Sequence, residues 1–126
     1  MSSYWVRRPR QNKYGNHKTK IIFKGEEVTF DSRREAARAK ELELLEKAGE
    51  IIGLEIQVPY ELQPAFRDKR GKKIAAINYI ADFTYMTKDG DNIIEDVKSQ
   101  ATRNDKVYKL KRKMMAYQGY EITEVE

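Results

Sequence analysis

The order of strand-like and helix-like segments in this chain predicts an α+β fold. Two amphipathic segments carry helix start and stop signals. Between and around them lie short β-branched and aromatic runs, separated by glycine-containing turns. Hydrophobic residues make up 40% of the 126 residues, enough for one packed core and too few residues for two domains.

The elements follow in order. Ile21-Ile22-Phe23 and Val28-Thr29-Phe30 flank Lys24-Gly25-Glu26-Glu27, which predicts a tight hairpin. Asp31-Ser32 opens a helix that runs to about Ala48, with Gly49 as its stop and Ala39, Leu42, Leu45 and Ala48 among its apolar positions. Residues 51–58 and 60–66 read as strands, and Pro59 and Pro64 confine them to irregular or edge positions. Residues 67–73, with Gly71, form a basic turn. Tyr79-Ile80-Ala81-Asp82-Phe83 and Ile93-Ile94-Glu95-Asp96-Val97-Lys98 read as two strands of a hairpin turning at Lys88-Asp89-Gly90-Asp91. Residues 104–117 form the second helix, with Val107, Leu110, Met114 and Tyr117 at helical spacing. Gly119 ends it, and residues 120–125 read as a last strand. No internal repeat is present.

Composition removes several function classes. The chain has no cysteine, which excludes a disulfide scaffold, a zinc ribbon and a thiol nucleophile. No apolar run has the length of a membrane span or a signal-peptide core, so the expected location is the cytoplasm, with no membrane partner. There is no Walker sequence, dinucleotide fingerprint or serine–histidine arrangement. His17, the single histidine, cannot make a histidine-based metal site and is expected to be exposed or to touch a phosphate.

Charge is distributed unevenly. Residues 1–25 hold Arg7, Arg8, Arg10, Lys13, Lys18, Lys20 and Lys24 and no acid, so they carry +7 of a net +5 and leave −2 for the rest. Residues 1–20 are read as a basic arm and 21–126 as the folded domain. The arm also holds Tyr4, Trp5 and Tyr14, which suit stacking on bases. Two readings stand: nucleic-acid contact or a solubilising tail. Lys106, Lys109, Arg112 and Lys113 are expected on the side of the second helix away from Val107, Leu110 and Met114, as a solvated face or as phosphate contacts.

The acids carry the chemistry. Side chains alternate along a strand, so Asp96 and Lys98 share a face and Glu95 points the other way, as a structural or surface acid. A hairpin can bring Asp82 beside that pair. Two acids and a lysine on one sheet face suit a divalent cation, and Mg²⁺ favours carboxylate oxygens and water. Glu35 lies near the apolar stripe of the first helix. Ser32-Arg33-Arg34-Glu35 also fits a capping box, in which the glutamate only satisfies the helix start.

Four runs in order give a resemblance. They are Lys13-Tyr14-Gly15-Asn16, Phe30-Asp31-Ser32-Arg33-Arg34-Glu35-Ala36, Tyr79-Ile80-Ala81-Asp82-Phe83 and Glu95-Asp96-Val97-Lys98. Together they resemble a small phage-carried family within the PD-(D/E)XK nuclease superfamily, over nearly the whole chain after the first dozen residues. The departure is Ala81, where the superfamily's name has proline. The resemblance implies a restriction-endonuclease-like αβββαβ core, a central mixed sheet with flanking helices. It implies Asp82 and Asp96 as metal ligands, with the Val97 backbone carbonyl as a further one and Glu35 as a ligand, directly or through water. Lys98 would orient or deprotonate the attacking water, or neutralise the phosphorane. The implied cofactor is Mg²⁺, with Mn²⁺ able to substitute, and the implied DNA contacts are Arg7, Arg8, Arg10, Lys13, Lys18, Lys106, Lys109 and Lys113. The expected function is a phage-type DNA endonuclease, foremost a Holliday-junction or branched-DNA resolvase working as a homodimer in the host cytoplasm. Its rivals are a linear-duplex or nicking nuclease of replication or packaging, and a non-catalytic nucleic-acid-binding module.

Overall fold

A computed structural model describes residues 17–126. Its chain order is β1 (Thr19–Phe23), β2 (Glu26–Phe30), α1 (Arg33–Lys47), β3 (Ile51–Gln63), β4 (Phe66–Arg67), β5 (Lys73–Ile74), β6 (Ile77–Thr87), β7 (Asn92–Val97), α2 (Gln100–Arg103), α3 (Lys106–Tyr117) and β8 (Ile122–Val125). The fold is α+β. Its central sheet runs β3-β6-β7-β8, antiparallel except for the parallel β7–β8 pair, so it is mixed as expected. Omitting the hairpin β1–β2, the ribbon β4–β5 and the short α2, the order is helix, three strands, helix, strand.

Two clusters fill the interior. One joins Phe23 and Phe30 of the first hairpin to Ala36, Ala39 and Leu42 of α1 and to Leu54, Phe83 and Val97 of the sheet. The other joins Tyr108 and Met115 of α3 to Tyr79, Ala81, Ile94 and Ile122. The β1–β2 turn is two residues, Lys24 and Gly25, both at positive φ (50° and 84°), the backbone that matches strand twist in a tight hairpin. Lys24 ties this hairpin down: its N–H donates to Glu43 Oε2 at 2.6 Å and its Nζ to the Leu54 carbonyl at 2.7 Å.

Several sequence expectations need correction. The segment 51–58 and most of 60–66 form one strand, Ile51–Gln63, which runs through Pro59, paired with Ile80, and ends before Pro64; Phe66 belongs to β4. β3 is an edge strand, so a proline there can lack an N–H without costing the ladder a bond. In α1, Leu45 and Ala48 are exposed, and Ala36 and Glu43 lie in the buried stripe instead. The second helix starts at Lys106, with Asp105 as its cap, because residues 100–103 form a separate turn of helix. Its expected apolar stripe faces the wrong way: Val107, Leu110 and Tyr117 are exposed, while Tyr108 and Met115 are buried. The last strand begins at Ile122.

One irregularity shapes the site. Leu54 and Ile56 pack with the α1 cluster, but Val58, Tyr60 and Leu62, of the same parity, pack with the α3 cluster. On β6, Tyr79 and Ala81 likewise belong to the α3 cluster and Phe83 to the α1 cluster. Regular alternation would keep each set on one face. The change falls at Gln57, whose φ is 51°, between the pairs Ile56–Phe83 and Val58–Ala81. The residue of β6 between Ala81 and Phe83 is Asp82.

Candidate active site

The interruption at Asp82 has a local consequence. The β6–β7 ladder is regular from Met86–Asn92 to Phe83–Glu95 and stops there. Beyond it, Asp82 Oδ2 accepts the Val97 N–H at 2.7 Å, so this side chain occupies the place of a ladder bond. On β7, Asp96 is buried, accepts the Tyr79 hydroxyl at 2.5 Å and lies 3.3 Å from Lys98 Nζ. Lys98 follows the strand's last residue, and its N–H donates to the Val125 carbonyl at 2.8 Å. Its ammonium sits 4.3 Å from the centre of the Tyr108 ring, an attractive cation–π position. The lysine is thus held between Asp96 and α3.

These groups open into one cleft of about 330 Å³, lined by Glu35, Asp82, Asp96, Val97 and Lys98 together with Asp31, Asn78, Tyr79, Ile80, Asp105, Val107, Tyr108 and Lys111. Glu35 reaches it from the first turn of α1. Ser32 Oγ accepts the Glu35 N–H at 3.0 Å, so the backbone half of the capping box is formed while the carboxylate lines the cleft.

Electrostatics distinguish these acids. Asp82 is pushed up to about 8, first by burial and then by the charges of Asp96 and Glu35; the Val97 N–H opposes the shift. Glu35 is pushed up to about 7, first by burial and then by Asp31 and Asp96, against hydrogen bonds from the Asp31 backbone and the Ser32 side chain. Burial, then Asp96, raises the Tyr79 hydroxyl, which stays a donor. The cleft therefore gathers more carboxyl groups than Lys98 and Lys111 can offset, and burial and crowding keep the protons of Asp82 and Glu35 on into the neutral range. Among the described residues, no three histidine or acidic side chains are gathered closely enough to ligate one ion. Two carboxylates with water completing the shell remain a donor set that suits Mg²⁺, which keeps several waters and binds through one or two carboxylates. Asp82 and Asp96 fit that role.

The other expected residues divide. Lys18 is exposed and 3.5 Å from Asp31, at the edge of the cleft. Lys106, Lys109 and Lys113 are exposed on α3 and do not line the cleft. Arg7, Arg8, Arg10 and Lys13, with Tyr4, Trp5, Tyr14 and the Lys13–Asn16 run, lie outside the described residues. Glu95 is no surface acid: it is 1% exposed, and Arg38 grips it with two bonds of 2.9 and 2.6 Å. Tyr79, Tyr108 and Lys111 are among the cleft residues that sequence reasoning missed. Tyr79 was read only as part of a strand. Lys111 needed α3 to be phased on Tyr108 and Met115, which places it beside the buried edge.

The model of the family described as "Protein of unknown function (DUF1064)" matches residues 11–125. The chain belongs to that family. No curated protein and no solved structure matches it. In this DUF1064 member the cleft falls entirely inside the matched residues, and so do all four sequence runs.

Proposed function

We propose that this DUF1064 protein is a Mg²⁺-dependent endodeoxyribonuclease, and that its substrate is branched DNA such as a Holliday junction. The observation that carries the reading is the convergence of Glu35, Asp82, Asp96 and Lys98 on one cleft, although α1, β6 and β7 supply them separately. The helix, three-strand, helix, strand order and the mixed sheet support it, as does the resemblance of the four sequence runs to PD-(D/E)XK nucleases.

The chemistry assigns work to each group. Bound between Asp82 and Asp96, Mg²⁺ would supply Lewis-acid stabilisation of the charge that builds on the scissile phosphate. Asp82 must give up its proton to serve as a ligand, because burial beside Asp96 and Glu35 otherwise keeps that proton on. Tyr79 fixes one oxygen of Asp96 and so orients the carboxylate, as partners of metal ligands do. Lys98 is positioned by Asp96 and the Tyr108 ring to face the phosphate, where it orients the attacking water or offsets phosphorane charge. Glu35, near neutral pH in its titration, accepts a hydrogen bond or a proton from water. Lys111 adds a second cation to the wall.

Cutting a junction at two symmetric strands calls for a C2 homodimer. Ile22 on β1 and Ile52 on β3, both exposed, supply apolar surface away from the cleft for such a contact. The test is cleavage of a four-way junction and of a matching linear duplex, each with Mg²⁺ and with EDTA. Paired cuts in the junction that need Mg²⁺ are expected. Equal cutting of the duplex favours a linear or nicking nuclease, and no cutting of either in Mg²⁺ or Mn²⁺ sinks the enzyme reading.

A further inference from the structure

α3 is chemically unusual. It carries Lys106, Lys109, Lys111, Arg112 and Lys113 and no acid. Arg112 is committed to Glu124 at 3.1 Å, and Lys111 lines the cleft. Its solvent side is also apolar, since Val107 and Leu110 are 60% and 57% exposed and Tyr117 is 93% exposed. Projected at 100° per residue, Lys106, Leu110, Lys113 and Tyr117 fall on one side of the helix, opposite Tyr108 and Met115. Val107 falls between that side and Lys111, and it lines the cleft. Across the cleft wall on β6, Ile80 is 57% exposed and lines the cleft too. The active-site mouth thus has an apolar rim of Ile80 and Val107. From it an apolar and basic strip continues through Leu110 to Tyr117, ~15 Å farther along the helix axis.

Exposed aliphatic side chains on a catalytic rim need an occupant. A second copy of this chain is disfavoured on this face, because a two-fold pairing would set one acid-free cationic helix against another. An occupant with both negative charge and flat apolar faces fits both features. Nucleic acid with accessible bases has them: lysines meet the phosphates and aliphatic or aromatic side chains meet the base faces. An uninterrupted duplex hides those faces in its stack.

We propose that Ile80, Val107 and Leu110 contact unstacked nucleobases beside the scissile phosphate, and so select DNA whose pairing is interrupted at the cut. This rests on the nuclease reading above and deepens it by assigning the selectivity to named side chains. A branch point presents such bases, and so does a single strand. The rim reads disrupted stacking, while Lys106, Lys109 and Lys113 bind the backbone without regard to sequence.

The experiment measures binding without cleavage. The full chain is titrated in EDTA against a fluorescent four-way junction, a single strand and a matching duplex, at one salt concentration. Wild type should bind the junction and the single strand about tenfold tighter than the duplex, the scale of one base contact. Val107→Ser with Leu110→Ser, both at exposed positions, should reduce that preference to about twofold or less and leave duplex affinity unchanged. A 2-aminopurine placed at the branch should brighten on binding wild type and stay dim with the double variant. Equal affinities of wild type for all three DNAs overturn the proposal. So does an unaltered preference in the double variant. If the double substitution instead dissociates a dimer seen by sedimentation, the face is a self-interface and the proposal falls. A wild type that binds no DNA at all sinks the nuclease reading together with this one, whereas binding with unchanged preference sinks only the assignment to the rim.

Discussion

Glu95 and Asp96 are neighbours on β7, and the two faces of the sheet treat them differently. On the α1 side, Glu95 has an arginine of its own: Arg38 binds both carboxylate oxygens, and the Tyr85 hydroxyl donates as well. Both carboxylate oxygens have a partner, and the guanidinium offsets the charge. On the α3 side, Asp96 shares one lysine with a cleft that also holds Asp82 and Glu35. Glu124, beside Asp96 in the parallel register, resembles Glu95 in having an arginine, Arg112, and a tyrosine, Tyr108. The buried Glu43 is held by the Lys24 N–H and the Lys40 ammonium, and Glu95 and Glu124 each come with a guanidinium. The acids of the cleft do not, and their surplus charge is what a divalent cation would neutralise.

The largest effects should separate the two sides. Asp82→Asn and Asp96→Asn should each lower cleavage by at least about 10²- to 10³-fold while the protein stays folded. Glu95→Gln should do the reverse. It removes the buried partner of Arg38, leaves it only Glu41 at 3.8 Å, and should cost about 3 kcal/mol of stability, the low end for breaking a buried pair because Arg38 is 23% exposed. Its folded fraction should cut at the wild-type rate. Urea unfolding and single-turnover cleavage on all three variants measure both quantities. A Glu95→Gln protein that is stable but inactive would reverse the assignment of the two faces.

Lys98 is the cation that touches Asp96 directly. Lys98→Ala should lower turnover by about a hundredfold. It should not weaken metal affinity, because a positive charge leaves the neighbourhood of Asp96. Calorimetric titration with Mn²⁺ checks the second claim. Weaker metal binding alongside lost turnover would mean that the lysine holds the site together rather than acting on the phosphate.

Much of this contrast was legible in the sequence, and the rest has physical reasons for being hidden. Period-2 alternation placed Glu95 and Asp96 on opposite faces, and the turn at residues 88–91 set the hairpin that brings Asp82 to Val97. Ser32 announced the start of α1, since few residue types cap a helix. The pairing of Glu95 with Arg38 was not readable, because 57 residues separate them and nothing local links them. The change of side at Gln57 breaks the alternation on which strand reading depends, so the split of β6 between two clusters was invisible. α3 misled for a related reason. Its exposed face carries Val107, Leu110 and Tyr117 at helical spacing, a pattern that ordinarily marks the core. Periodicity reports a face, and it does not say whether protein or a ligand covers it.

Glu35 sits between the two kinds of acid. Its backbone N–H is satisfied by Ser32 and its carboxylate lines the cleft. Glu35→Gln keeps the cap, because the Ser32 bond uses the backbone. Thermal stability should therefore not fall, and above about pH 7, where Glu35 ionises, it should rise. Turnover should fall about tenfold, the lower range for a group that acts on a metal site through water. Full activity with normal stability would reduce Glu35 to a helix cap.

The smallest effect is also the most direct probe of surplus charge, because it needs neither DNA nor turnover. In the metal-free protein Asp82 holds its proton to about pH 8 and Glu35 to about pH 7, against ordinary values of 3.8 and 4.5. Between those limits the folded state binds more protons than the unfolded state. Stability is therefore full below the ordinary carboxylate range and declines as pH rises through about 7 to 8, then levels off. Melting temperature in EDTA should fall between about pH 5 and about pH 9. Asp82→Asn should remove the larger part of the slope, because Asp82 is shifted further and an asparagine has no proton to lose. Saturating Mg²⁺ should raise the melting temperature most at the alkaline end, where Asp82 is ionised and ready to bind. A wild-type stability that climbs over this range would mean that the cleft acids are already compensated, as Glu95 is. The same slope in Asp82→Asn would remove Asp82 from the charge cluster.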